Sequence, residues 1–251
     1  MEPVRAKYIL TGGSGILGTE LQKCALVHGI EYIAPDMDDL DITDEVHIYE
    51  YLQQHSEFHG KIHGVVHCAA YTDVPGAETN RFEAIRVNIK GTENVMNELC
   101  YPLGVNMVYI STDYVYPGDI GNYDESAFTR PVNFYAMTKL AGEAYTSDAD
   151  LVIRTSFKPN IPWPYPRAFD DLYTSADYVD VIADKISFLI TQCETGVWNV
   201  GTERKSVYDL ARRRNTKVKP MSREEITNVY LPKDVSMNID KFNQFYDEVS
   251  M

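Results

Sequence analysis

The stretch Thr11-Gly12-Gly13-Ser14-Gly15-Ile16-Leu17-Gly18 decides how the rest of the chain is read. It lies between a β-rich run, Tyr8–Thr11, and an apolar pattern at helical spacing formed by Ile16, Leu17, Leu21, Cys24, Ala25 and Val27. That pattern stops at Gly29, a residue suited to the position just past a helix end. The glycines satisfy G-x-G-x-x-G at 13, 15 and 18, and equally G-x-x-G-x-x-G at 12, 15 and 18. Between a strand and a helix they permit a tight turn and close approach of backbone to a pyrophosphate, whose charge meets the helix N-terminus. Gly12, Gly15 and Gly18, with Ile16 and Leu17 opening the helix, are the expected dinucleotide contacts.

Working outward, short β-rich runs alternate with longer helical patterns, which predicts an α/β chain with a doubly wound parallel sheet of Rossmann type. Strands are expected at Tyr8–Thr11, Glu31–Ala34, Gly64–Ala69, Asn106–Ser111 and Leu151–Arg154. A helix over Thr79–Tyr101 would bury Phe82, Ile85, Ile89, Val95, Met96 and Leu99 and end at Pro102 and Gly104. Another is expected over Ala136–Tyr145. Pro159, Pro162, Pro164 and Pro166 then break the pattern, since proline continues neither a helix nor a central strand. The expected division is a dinucleotide-binding domain over 1–154 and a small substrate-binding annex over 155–251, partly interleaved with the first. Within the annex, helices are expected at Ala176–Thr191 and Ser206–Arg213, a strand at Val197–Val200, and a polar tail over Leu231–Met251.

The chain has 251 residues, enough for a sizeable core, and its 44% hydrophobic and 24% charged residues are those of a folded globular protein. Lys+Arg number 23 against 37 Asp+Glu, a formal net charge of −14. That balance argues against a partner made of nucleic acid and against an anionic membrane surface. Cys24, Cys68, Cys100 and Cys193 are widely spaced, so reduced thiols and a cytoplasmic setting are expected, with no signal segment or membrane span. His55, His59, His63 and His67 recur every four residues, but Gly60 and Gly64 interrupt any helix that could stack them, and no metal site is expected. Arg212, Arg213, Arg214, Lys217 and Lys219 read as a solvated helix end.

Asp36 follows the second strand where an acid would grip the adenosine ribose hydroxyls. From Ala34 through Glu45 there are six acidic residues and no Lys or Arg. A ribose 2′-phosphate would meet uncompensated negative charge there, which leans the cofactor from NADPH toward NADH. The sharpest constellation is Ser111-Thr112-Asp113 at a strand end, followed by Tyr135-Ala136-Met137-Thr138-Lys139 at a helix start. Residues four apart share a helix face, so the Tyr135 phenol and Lys139 ammonium project to one side. An adjacent cation stabilises phenolate and suits the phenol to acid/base work, while Thr112 can hydrogen-bond a substrate carbonyl.

At these residues the chain resembles the extended short-chain dehydrogenases/reductases, and within them the dTDP-4-dehydrorhamnose reductases. The matching stretches are TGGSGILG at 11–18, LDITD at 40–44, HCAAYTDVPGAE at 67–78, VNIKGTENV at 87–95, STDYVY at 111–116, PVNFYAMTKLAGE at 131–143 and IRTS at 153–156. The match thins to NVGT at 199–202 and LPKDVSMNIDKF at 231–242. The resemblance implies that Gly12, Gly15 and Gly18 bind the pyrophosphate and that Ala69, Ala70 and Tyr71 line an NAD(P) cofactor. It makes Thr112, Tyr135 and Lys139 the catalytic set. It further implies reduction of the C4 ketone of a nucleotide-linked 4-dehydro-6-deoxy sugar, with Tyr135 protonating the alkoxide and Lys139 lowering the phenol pKa and holding the nicotinamide ribose. Asp113, Tyr114 and Trp163 are the expected substrate contacts, and a homodimer is compatible with this reading.

Several positions depart from the family pattern. Tyr114 stands where sugar-nucleotide dehydratases carry an acid, which favours reduction over elimination. No cysteine lies between Pro102 and Gln192, where reductases that also epimerise place one. The usual R-T-S-W-V-Y-G is here Arg154-Thr155-Ser156-Phe157-Lys158-Pro159-Asn160. Alternatives are a non-catalytic regulatory or binding protein of the same fold, as in the regulatory subunit of methionine adenosyltransferase, and a nucleotide-sugar epimerase or dehydratase.

Overall fold

The computed structural model describes residues 5–251. Its centre is a six-stranded parallel sheet. In chain order the first five strands are β1 (Ala6–Thr11), β2 (Ile30–Ile33), β3 (Gly64–His67), β4 (Asn106–Thr112) and β5 (Leu151–Thr155), and Gly196–Val200 is the sixth. Across the sheet the order is β2, β1, β3, β4, β5, Gly196–Val200. The chain therefore steps outward from β1 to β2 and returns to the other side of β1, which places a topological switch point between β1 and β3.

Alternate residues of each strand feed two cores. Leu10, Val66, Val108, Ile110 and Ile153 pack on one face with helix α1 (Ile16–Cys24) and the Val179–Thr191 helix. Ile9, Val65, Met107, Tyr109 and Val152 face the other, against Ile48 and Leu52 of helix α2 (Glu45–Gln54) and Val95, Met96 and Leu99. Burial on both faces is why these strands read as continuous apolar runs. Two sheet-side elements, the Val179–Thr191 helix and the Gly196–Val200 strand, come from beyond residue 154. From the chain before and after them come three two-stranded ribbons and a satellite core of Trp163, Ala168, Leu172, Val207, Ala211 and Val218. No described helix is long and apolar enough to cross a membrane.

Some expectations are corrected. Val27 is 83% exposed because α1 ends at Cys24 and tight turns follow. The helix expected over Thr79–Tyr101 runs over Arg81–Leu103 with π-helical turns at Arg86–Lys90 and Met96–Cys100. Each π turn rotates the apolar stripe, so Phe82, 76% exposed, and Ile85 do not share the buried face of Val95, Met96 and Leu99. The polar tail contains the Asp240–Ser250 helix, which buries Phe242 edge-on against Phe188 with ring centroids 6.2 Å apart.

Candidate active site

At the switch point, Gly12 adopts φ +70° and passes so close to the loop after β3 that a Cβ there would lie 2.6 Å from the Ala69 nitrogen. A Cβ on Gly18 would lie 2.3 Å from the Gly12 carbonyl oxygen, so glycine is what lets α1 enter against the loop. The Gly15 N–H bonds the Gly12 carbonyl at 3.0 Å, closing the turn. Helix α1 has no side-chain cap at Gly15, which leaves its first-turn amides free for an anion. Ile16 is half exposed beside that end, while the Leu17 side chain is buried in the core. Shape and donors thus fit a dinucleotide pyrophosphate.

The loop is buttressed from beneath by His67. Its Nδ1 lies 2.7 Å from Thr11 Oγ1 and its Nε2 3.2 Å from Thr92 Oγ1. Burial, with the charge of Lys139 nearby, depresses its pKa to about 3, so the imidazole is neutral. Tyr71 is held by Asn88, whose Oδ1 accepts the Tyr71 N–H at 2.8 Å and whose Nδ2 donates to the Tyr71 carbonyl at 3.1 Å and to Thr138 Oγ1 at 2.9 Å. Asn88 ties the cofactor-side loop to the Phe134–Glu143 helix, and no role follows for it from spacing alone. Asp36 lies exposed beyond β2, with Oδ1 accepting the Asp38 and Asp39 N–H groups in an Asx turn.

Thr112 ends β4, and the Phe134–Glu143 helix starts at Asn133, whose side chain caps the Ala136 N–H at 2.9 Å. This brings Thr112, Asp113, Tyr114 and Tyr135 together. Burial raises the Tyr135 phenol, the neighbouring Thr112 hydroxyl offsets part of the rise, and the Asp113 charge adds to it. The phenol therefore carries its proton at neutral pH. Burial likewise pushes Asp113 up to about 7, against hydrogen bonds from Thr174 Oγ1 at 3.0 Å and Thr112 Oγ1 at 3.3 Å and the charge of Lys158. Lys158 is lowered by the same burial and favoured as a cation by Asp113. It occupies a position that is apolar in the family pattern, a departure visible in the sequence but not there connected to Asp113.

Lys139, four residues on from Tyr135, lies over a further aromatic ring of this cluster. The Lys139 ammonium sits 4.2 Å from the centroid of the Tyr109 ring, and desolvation lowers its pKa to about 7, with Glu143 and Cys68 opposing the drop. Four-residue spacing fixes the helix face but not the rotamer, and here the aromatic face takes the cation. Glu143, one turn further, pairs with Arg154 in a buried bridge of 2.8 Å and accepts from Ser111. Arg154 continues to the Tyr116 hydroxyl at 3.1 Å, and Tyr116 to Asn199 Oδ1 at 2.8 Å. This chain of polar contacts links β4, β5, the Tyr135 helix and the sixth strand. Trp163 is not brought to the site: it packs in the satellite core and its indole N–H donates to the Arg167 carbonyl. Of the basic run, Arg213 pairs with Asp177 and Glu203, and Arg214 with Asp180.

The family model described as the RmlD substrate binding domain matches residues 6–188. The chain is 36% identical over 142 residues to a dTDP-4-dehydrorhamnose reductase of Mycobacterium tuberculosis, covering 55% of this chain and 44% of that protein. It is 30% identical over 234 residues to a dTDP-4-keto-6-deoxy-D-glucose reductase of Streptomyces niveus, covering 82% of this chain and 76% of the relative. The structure of a Bacillus anthracis dTDP-4-dehydrorhamnose reductase in complex with NADP superposes with a TM-score of 0.83 at 27% identity, covering 96% and 93% of the two chains.

Proposed function

Because the chain belongs to the RmlD substrate-binding-domain family, we propose that it is an NAD(P)H-dependent reductase of the C4 ketone of a nucleotide-linked 4-dehydro-6-deoxy sugar. The observation that carries this reading is the protonated, half-buried Tyr135 phenol beside Thr112, at the same C-terminal end of the parallel strands as the glycine cradle.

The first-turn amides of α1, that of Leu17 among them, and the Gly12, Gly15 and Gly18 backbone receive the pyrophosphate, with Ile16, Ala69, Ala70 and Tyr71 lining the dinucleotide. When bound, the reduced nicotinamide supplies the hydride. Thr112 hydrogen-bonds the ketone oxygen and aligns it with Tyr135. The phenol holds the proton that the oxygen takes as it becomes an alkoxide, a far stronger base than phenolate. Lys139, buried and close to its titration point, stabilises negative charge left on this side of the helix. Tyr114 contacts the sugar, while Asp113, buried and bonded to Thr112 and Thr174, braces the strand end beneath it. The region 155–251 supplies the substrate side, joined to the catalytic strand by the Thr174–Asp113 bond.

For the cofactor we assign NADH as the preferred form. Only one Asp36 oxygen is used in the Asx turn, leaving the other for ribose hydroxyls in a loop of like charges. Dissociation constants for the two cofactors check this; tighter binding of NADPH contradicts it. The activity is tested by offering dTDP-, UDP- and GDP-linked 4-dehydro sugars with NADH and NADPH and following loss of reduced nicotinamide absorbance. Oxidation coupled to a C4 alcohol product is expected, and no oxidation with any of them overturns the reading.

A further inference from the structure

Just past β5 the chain forms a short strand, Phe157–Lys158, that pairs in parallel with Asp177–Tyr178 from beyond the proline-rich loop. Side chains of an extended run point alternately to opposite faces. Along this run Val152 shares the core of Tyr109, whose hydroxyl donates to the Lys139 carbonyl, and Arg154 pairs with Glu143 of the same helix. Ile153 and Phe157 pack in the core on the opposite face. The alternation therefore places Lys158 on the side of the Tyr135 helix, beyond the C-terminal end of β5. On the neighbouring β4 it puts Tyr109, Ser111 and, just past the strand, Asp113 on that side as well. The charges of Asp113 and Lys158 accordingly act on each other.

Nothing in the free protein holds the Lys158 ammonium. It makes no hydrogen bond and no ion pair among the described residues. Asp113 does not take it, because one carboxylate oxygen accepts from Thr112 and the other from Thr174. Lys158 is half-buried, and its loss of water outweighs the attraction of Asp113, so its pKa is lowered. An ammonium has three donors to satisfy, and leaving them without acceptors away from water is a net cost to the fold. An oxygen brought by a ligand offsets that cost. We propose that Lys158 is a specificity-determining residue that donates a hydrogen bond to a ring hydroxyl of the sugar and so selects substrates that keep it. This rests on the nucleotide-sugar reading above and adds which side chain reads the sugar.

The test is steady-state turnover by the full-length wild type, Lys158→Met and Lys158→Arg. The substrates are dTDP-, UDP- and GDP-linked 4-dehydro-6-deoxyglucose, and the 2-deoxy and 3-deoxy forms of whichever is turned over. Methionine keeps the length of the side chain and removes an unsatisfied charge. Lys158→Met should therefore bind the dinucleotide cofactor as the wild type does and unfold, without ligand, at no lower a temperature. Its KM for the parent sugar should rise at least about tenfold while kcat changes by less than about threefold, and Lys158→Arg should recover most of the loss. One deoxy form should cost the wild type a comparable factor in KM, and Lys158→Met should no longer tell that form from the parent. An unchanged KM, a lowered unfolding temperature or wild-type discrimination of both deoxy forms in Lys158→Met overturns the assignment of Lys158 alone. A wild type that turns over none of the three parent sugars overturns the reductase reading and this assignment with it.

Discussion

Asp113 shows what a single buried group does at this site. It sits 1% exposed between Thr112, Thr174 and Lys158, and burial raises its carboxyl to about 7, whereas an unfolded aspartate titrates near about 3.9. The folded chain thus prefers the protonated form. That preference stabilises fully below the unfolded value and is lost as pH rises through about 7. Asp113→Asn, which keeps the shape and cannot ionise, should gain on the wild type between pH 4 and pH 8 by on the order of 2–4 kcal/mol. Thermal unfolding at the two pH values reads this directly, and an equal difference at both contradicts it. Lys139 behaves in the opposite sense: its ammonium is lost above about pH 7, and Glu143 is the charge that most favours it. Glu143→Gln should therefore move the alkaline limb of the pH–rate profile to lower pH.

Among the elements, the Phe134–Glu143 helix joins three tasks. Its first turn carries Tyr135, its middle Lys139 and the Asn88 anchor through Thr138, and its last residue the buried Arg154 pair. Removing the Glu143 carboxylate leaves Arg154 uncompensated, and about 3–5 kcal/mol of stability is expected to go with it, measurable by denaturant unfolding. The glycine turn makes a second prediction. A methyl group at Gly18 collides with backbone, not with a movable side chain, so Gly18→Ala should weaken dinucleotide binding at least about tenfold; unchanged cofactor affinity contradicts the cradle. These two elements differ in how far they can be read from residues. The glycine spacing is local chemistry and is fully legible, as are strands whose two buried faces make unbroken apolar runs. The direction of Lys139 depends on the Tyr109 ring 30 positions earlier, and the phase of the 81–103 helix depends on π turns that no uniform period contains.

At the scale of the whole molecule, the C-terminal end of the parallel strands gathers what the sequence separates. Gly12, Thr112 and the Tyr135 helix start meet there, and Thr174 and Lys158 come to it from beyond residue 154. The Asp240–Ser250 helix closes the same body by placing Phe242 on Phe188, a contact invisible in a stretch whose composition is polar. Phe242→Ala should cost about 3–5 kcal/mol of unfolding free energy. Trp163 is the converse case, an aromatic in a proline-rich loop that satisfies its own N–H and packs the annex instead of the substrate. The account as a whole depends on one proton. Tyr135→Phe removes it while leaving the cradle intact, so the most direct measurement is turnover of a dTDP-linked 4-dehydro-6-deoxy sugar by this variant beside its cofactor dissociation constant. The account predicts a loss of about 10²–10⁴-fold in turnover with cofactor affinity unchanged; near-wild-type turnover would contradict it.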